Sequence, residues 1–142
     1  MKFTRVIYPE TKLLEEFIQN AGNSLKSFRY FATRPIDTIR FHLCTFLLIE
    51  NDVPVAYGHL DEEGGTTWLG MAVIEKEKGK GYGRAMLQQL IKEAQKFEVK
   101  KIKLTADNDN IAAINLYKSV GFKEIAKKET FSFYQLDVSS EI

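Results

Sequence analysis

The chain is poor in cysteine and histidine, and each shortage narrows what it can be. Cys44 is the only cysteine, so there is no disulfide framework and no cysteine metal cluster. With Leu43 and Phe46 beside it, Cys44 reads as a buried small hydrophobe rather than a nucleophile. Two histidines supply no recognisable ligand cluster, and no metal is expected. No apolar run approaches a membrane span, and Met1-Lys-Phe-Thr-Arg5 lacks the apolar core of a signal peptide, so a cytoplasmic location is the expectation. Neither sign of charge is in excess: 20 Lys and Arg face 19 Asp and Glu. With that balance, nothing suggests a general nucleic-acid or membrane surface. Repeats, low-complexity tracts and inter-domain linkers are also missing. At 142 residues, one domain over 1–142 is expected, with a core built on a sheet and several helices.

What is present is a regular alternation of elements. Phe3 to Tyr8 reads as a strand closed by Pro9. Thr11 to Ala21 carries Leu13, Leu14, Phe17 and Ile18 at helical spacing. Leu25 to Arg40 is rich in aromatics and reads as one or two short helices interrupted near Pro35. Strands at 43–50 and 55–61 flank Asn51-Asp-Val-Pro54 as a hairpin, and Glu63-Gly-Gly-Thr66 turns into a strand over 67–74. From Gly83 to Phe97, Met86, Leu87, Leu90, Ile91, Ala94 and Phe97 form one apolar helical stripe. A strand at 101–106 follows, then the cap-rich Asp107-Asn-Asp-Asn110 and a helix over 111–120 stopped by Gly121. Strands at 123–128 and 130–137 close the chain. The fold class is α/β (α+β), with a mixed central sheet of six to seven strands and about four helices. The final strand offers an edge for pairing, which makes a homodimer an expectation.

Chemistry concentrates where the 67–74 strand meets the long helix. There the chain runs Lys78-Gly79-Lys80-Gly81-Tyr82-Gly83-Arg84. Three alternating glycines let backbone N–H groups converge, and the helix start adds free donors and its positive dipole end. Lys78, Lys80 and Arg84 add positive charge, so the turn is a cradle for an anion, best a pyrophosphate. A Walker loop needs Gly-x4-Gly-Lys-[Ser/Thr], which is absent. A dinucleotide fingerprint needs Gly-x-Gly-x-x-Gly, whereas this turn is Gly-x-Gly-x-Gly.

The same residues carry a resemblance. Lys78-Gly-Lys-Gly-Tyr-Gly83 is similar to the [Gln/Arg]-x-x-Gly-x-[Gly/Ala] motif of the GCN5-related N-acetyltransferase (GNAT) superfamily, with Lys78 where the family has Gln or Arg. Asn110-Ile-Ala-Ala-Ile-Asn-Leu-Tyr-Lys-Ser-Val-Gly-Phe122 resembles the second signature, Asn-x-x-Ala-x-x-Leu-Tyr-x-x-x-Gly-Phe. The order of elements matches over nearly the whole chain. The resemblance implies acetyl-CoA as co-substrate, with its pyrophosphate on the amides of Gly79 to Arg84. It implies that the pantetheine arm lies along Met71, Ala72 and Val73, and that Asn110 touches the coenzyme. It also implies that Tyr117 stands near the coenzyme sulfur as the acid for the departing thiolate.

Acetyl transfer further needs a neutral amine, although a lysine-like amine is about 99.9% protonated at pH 7. Many family members carry a glutamate on the strand before the loop, but Thr67 to Val73 contains no acid. The neighbouring strand offers Tyr57, His59 and Asp61 on one face. His59 is the first candidate base and Asp61 the second, with a structural histidine as the alternative. Glu62, Glu63 and Glu75 read as solvated turn residues. In the resemblance the early helical segment meets the acceptor, where Phe28, Arg29, Tyr30, Phe31 and Arg34 cluster, with His42 a further candidate. These could stack on a sugar or nucleotide and pair with phosphate, or form core with the arginines outside. The expected activity is direct acetyl transfer to a primary amine of a small molecule such as an amino sugar. The alternatives are a protein or peptide amine, or a non-catalytic acyl-CoA-binding module.

Overall fold

Two tight turns set the register of the central strands. Asn51 and Asp52 both have positive φ (51° and 64°), the two-residue hairpin geometry that matches strand twist. They join β2 (His42–Glu50) to β3 (Val53–Glu63), which therefore begins two residues earlier than the sequence suggests. Gly64 and Gly65 repeat the arrangement between β3 and β4 (Thr66–Val73). In this computed structural model, which describes residues 1–138, the last four residues of the expected 1–142 domain lie outside the described part.

The remaining elements are β1 (Lys2–Arg5), α1 (Lys12–Asn20), α2 (Tyr82–Lys96), β5 (Lys101–Asp107), α3 (Ile111–Ser119), β6 (Lys123–Lys127) and β7 (Phe131–Asp137). The aromatic segment forms three 3₁₀ helices, Gly22–Lys26, Tyr30–Ala32 and Ile36–Phe41, with Pro35 capping the third. A fourth, Glu75–Glu77, precedes the glycine turn. The seven strands make one mixed sheet in the order β1-β2-β3-β4-β5-β7-β6. The final strand β7 is therefore interior, between β5 and β6, and the edges are β1 and β6. The edge expected of the final strand does not exist, and with it goes the argument it gave for a homodimer.

The stripe on α2 buries Met86, Leu87, Leu90 and Ala94 completely. It approaches β3 so closely at Gly58 that a Cβ there would lie 2.6 Å from the Met86 sulfur and 2.8 Å from Leu90 Cδ1. Only a residue without a side chain admits the helix at that depth. On the other side, Phe17 of α1 packs against the Tyr57 ring.

Only β4 and β5 run parallel, and they pair only at Thr67–Ile102 and Trp68–Lys103. Beyond Trp68 the strands part, while β4 continues along β3 as far as Val73. From Leu69 onward one side of β4 has no strand neighbour, which opens a wedge in the sheet.

Candidate active site

The wedge is the floor of a cleft of about 760 Å³. At one end lies the glycine turn. Gly79 and Gly81 have φ of +83° and +86°, a backbone that L side chains rarely adopt, and there is open space where a Cβ would sit. The first backbone bond of α2 runs from Ala85 N–H to the Gly81 carbonyl. The amides of Tyr82, Gly83 and Arg84 are therefore free at the helix start, with no side-chain cap. Gly83 packs against Leu116 of α3 and Met71 and Val73 of β4, tying the turn to both walls. Lys80 pairs with Glu77 at 2.6 Å, and Arg84 donates to Ser119 Oγ at 3.1 Å. Lys78 lines the cleft, with no ion pair among the described residues.

Met71, Ala72 and Val73 line the floor along the free side of β4. Its far end is pinned. The buried Ser24 hydroxyl donates to the Val73 carbonyl, and Asn23 donates to the Glu75 carboxylate from both its backbone and its side chain (2.9 and 2.8 Å). Glu75 is thus exposed, as expected, yet it clamps the loop before the aromatic segment. Asn110 caps α3 by accepting from Ala113 N–H at 3.4 Å, which leaves its amide NH₂ available in the cleft. Tyr117 is buried against Phe122 and lines the cleft between these parts. Its hydroxyl has no hydrogen-bond partner among the described residues, and burial pushes it up to about 12. It is therefore a protonated phenol at neutral pH.

The other end holds the acceptor candidates, and here the structure separates them. His59 is buried and its Nδ1 lies 2.6 Å from the Tyr57 hydroxyl. Tyr57 is completely buried and has no other hydrogen-bond partner among the described residues, so its O–H donates to Nδ1 rather than being left unsatisfied. The proton of the neutral ring is then on Nε2. Burial, with His42 and Arg34 nearby, holds His59 well below its ordinary value. It is a neutral ring whose lone pair is occupied, and so unsuited to the base role placed first for it by the sequence. Asp61 lines the cleft two residues along, and burial lifts its carboxyl above the usual range.

His42 does not line this cleft. It stands behind Tyr30, with Nε2 2.6 Å from the Tyr30 hydroxyl and Nδ1 2.8 Å from Thr45 Oγ1. Burial, and then Arg34, push it down to about 4. The contact with substrate expected of His42 therefore finds no place in the cleft lining, where it reaches only the back of Tyr30. Tyr30 faces the cleft, its hydroxyl 3.4 Å from Asp61 Oδ2. Phe28 and Phe31 pack on Tyr57, so part of the aromatic run is core and part is wall. Arg29 forms a two-pronged pair with Asp107 at the end of β5 (3.0 and 3.2 Å), so its guanidinium already has an anion. Sequence reasoning passed over Trp68 and Asp107, which also line the cleft. Trp68 stands opposite Asp61 in register, a placement the hairpin pattern implies. Cys44 is buried and its thiol is pushed up to about 11, so it is inert.

A family model described as "Acetyltransferase (GNAT) family" matches residues 11–122. The chain belongs to the GNAT acetyltransferase family. Two proteins of known name align over 65 residues at 40% identity. They are the probable spermine N(1)-acetyltransferase of Bacillus subtilis subsp. natto and the spermine/spermidine N(1)-acetyltransferase of Bacillus subtilis strain 168. The match spans 44% of this chain and 43% of each relative, less than half the length of either. Among solved structures, yncA of Salmonella typhimurium with its cofactor acetyl-CoA superposes at TM-score 0.78, covering 100% of this chain and 96% of that one at 20% identity. The ribosomal-protein-S18-alanine N-acetyltransferase of Escherichia coli gives 0.73 at 23% identity, covering 99% and 95%. At these identities the likeness is one of fold. The glycine turn with its free amides and the unpaired side of β4 fit the coenzyme that this family uses.

Proposed function

We propose that this GNAT protein transfers the acetyl group of acetyl-CoA directly to a primary amine of a small molecule, such as an amino sugar or its nucleotide form. The observation that carries this reading is the open side of β4, with Tyr117 and the glycine turn toward one end and Asp61 and Tyr30 at the other. Bound acetyl-CoA supplies an activated thioester; the remaining work belongs to side chains and amides of the chain. Free N–H groups of β4 between Met71 and Val73 hold the acetyl oxygen as charge grows on it. Asp61, directly or through water, takes a proton from the ammonium so that nitrogen can form the new C–N bond.

Tyr117 hydrogen-bonds the sulfur as the C–S bond breaks, while the second surplus proton of the attacking nitrogen passes to water, leaving a neutral amide and the thiolate. Full proton transfer from a phenol near 12 to a thiolate whose acid lies near ~8.5 is uphill by roughly 5 kcal/mol. The phenol therefore acts by donating a hydrogen bond in step with departure. Its removal should cost about 10²-fold, the lower end for such catalysis.

A second reading is a polyamine acceptor. It is favoured by the names of the two partial relatives and by Asp61 and Glu63, carboxylates two apart on β3 that both line the cleft. Thiol release from acetyl-CoA across a panel of amines tests both readings. Turnover that falls about 10²-fold in Tyr117→Phe, and at least as far in Asp61→Asn, with acetyl-CoA affinity retained, is the expected result. Turnover never exceeding buffer would leave a coenzyme-binding module instead.

A further inference from the structure

The chain has five arginines, and their partners divide them. Arg5 pairs with Glu93 (3.8 Å), Arg29 with Asp107 (3.0 Å) and Arg40 with Asp37 (3.9 Å). Arg34 and Arg84 form no ion pair with a carboxylate among the described residues, although the Arg34 charge is felt by Asp61, and both arginines line the cleft. Arg84 stands at the glycine turn, where the coenzyme phosphates are expected. Arg34 stands at the other end, where Trp68, Tyr30 and Asp61 gather.

Arg34 is exposed but not loose. Its Cζ lies 4.3 Å from the Tyr30 ring centroid, and Nη1 donates to the Tyr30 carbonyl at 3.2 Å. The next residue is Pro35, whose fixed φ restricts the turn that carries Arg34. The stacked guanidinium keeps unused N–H donors in a fork suited to a carboxylate or phosphate. The hydroxyl of the same Tyr30 lies 3.4 Å from Asp61. A cation site and an anion site therefore meet on one aromatic ring, within the length of one small molecule.

We infer that Arg34 reads a negatively charged group on the acceptor, so that the preferred substrate is a primary amine that also carries a carboxylate or phosphate. This rests on the transferase reading above and narrows it: Asp61 receives the ammonium end, Arg34 the anionic end, and Tyr30 spaces them. A polyamine offers Arg34 nothing but like charge, which counts against the second reading of the cleft.

The test uses acceptor pairs that differ only in the anion: glucosamine 6-phosphate against glucosamine, and lysine against 1,5-diaminopentane, with spermidine as a further probe. In the native protein, kcat/KM should favour the anionic member of at least one pair by about 10- to 100-fold, the worth of one charge-assisted contact. Arg34→Gln should bring that ratio close to one, and Arg34→Lys should restore part of it. The calorimetric Kd for acetyl-CoA should stay unmoved, and retained melting temperatures would show that both variants fold. A guanidinium that only braces Tyr30 would depress every acceptor alike, leaving the ratio intact. That result, or preference for spermidine or a neutral amine in the native protein, overturns the inference while the transferase reading stands. Absence of turnover with every amine, with acetyl-CoA still bound, overturns both.

Discussion

At the scale of single residues, two neighbours on one strand face the same cleft with different chemistry. His59 has the more familiar pKa for a base at neutral pH, yet the buried Tyr57 hydroxyl occupies its Nδ1 and fixes the proton on Nε2. A Cβ on Gly70 would lie 2.6 Å from His59 Nε2 and Cε1, so the glycine is what makes room for that edge of the ring. The ¹⁵N shifts of His59 should show the Nε2–H tautomer between pH 5 and 8, and Tyr57→Phe should mix the two tautomers. A charged imidazolium near pH 6 would contradict this. As the proposed base, Asp61 acts only when ionised, so kcat/KM should rise with pH through a carboxyl pKa raised by burial. Asp61→Asn should remove that acid limb; its persistence would move the base elsewhere.

At the scale of elements, the proposed coenzyme end is built on a backbone shape rather than on charge. Gly81 begins α2 at φ +86° with open space around it, so a valine there meets strain and no clash. Gly81→Val should weaken acetyl-CoA binding more than tenfold while shifting the melting temperature by only a few degrees, as read by calorimetry and thermal denaturation. Unchanged affinity would mean that the turn does not hold the phosphates. Much of this was legible in the sequence. The three glycines, the Asn110 cap and the α2 stripe are local patterns, and they appear where the spacing places them, except that Phe97, expected at the end of the stripe, is exposed past the last helical turn. The parting of β4 from β5 was not legible, because it is a failure of pairing between residues about thirty-five apart in the chain. The Arg29–Asp107 pair, 78 residues apart, was equally hidden and turns an expected substrate contact into an internal one. The interior place of β7 follows from strand order, which the final hairpin alone does not set.

At the scale of the molecule, two neutral histidines stand side by side behind the acceptor end, ring centroids 4.3 Å apart. Both are held below the ordinary value of 6.5, His42 down to about 4 and His59 well below it, so the unfolded chain binds protons that the folded chain refuses. Their contribution to stability is complete above about 6.5 and is lost as pH falls from there toward about 4. Chemical denaturation should show stability falling across that window, with a shallower fall in His42→Asn. A flat profile would contradict the buried neutral pair.

The central claim is that the wedge between β4 and β5, capped by the glycine turn, is an acetyl-CoA site. Calorimetric titration of the protein with acetyl-CoA, using ATP and NAD as controls, tests it most directly. One micromolar site for acetyl-CoA, with no comparable binding of the controls, is the expected result. No binding, or a preference for ATP or NAD, would contradict it.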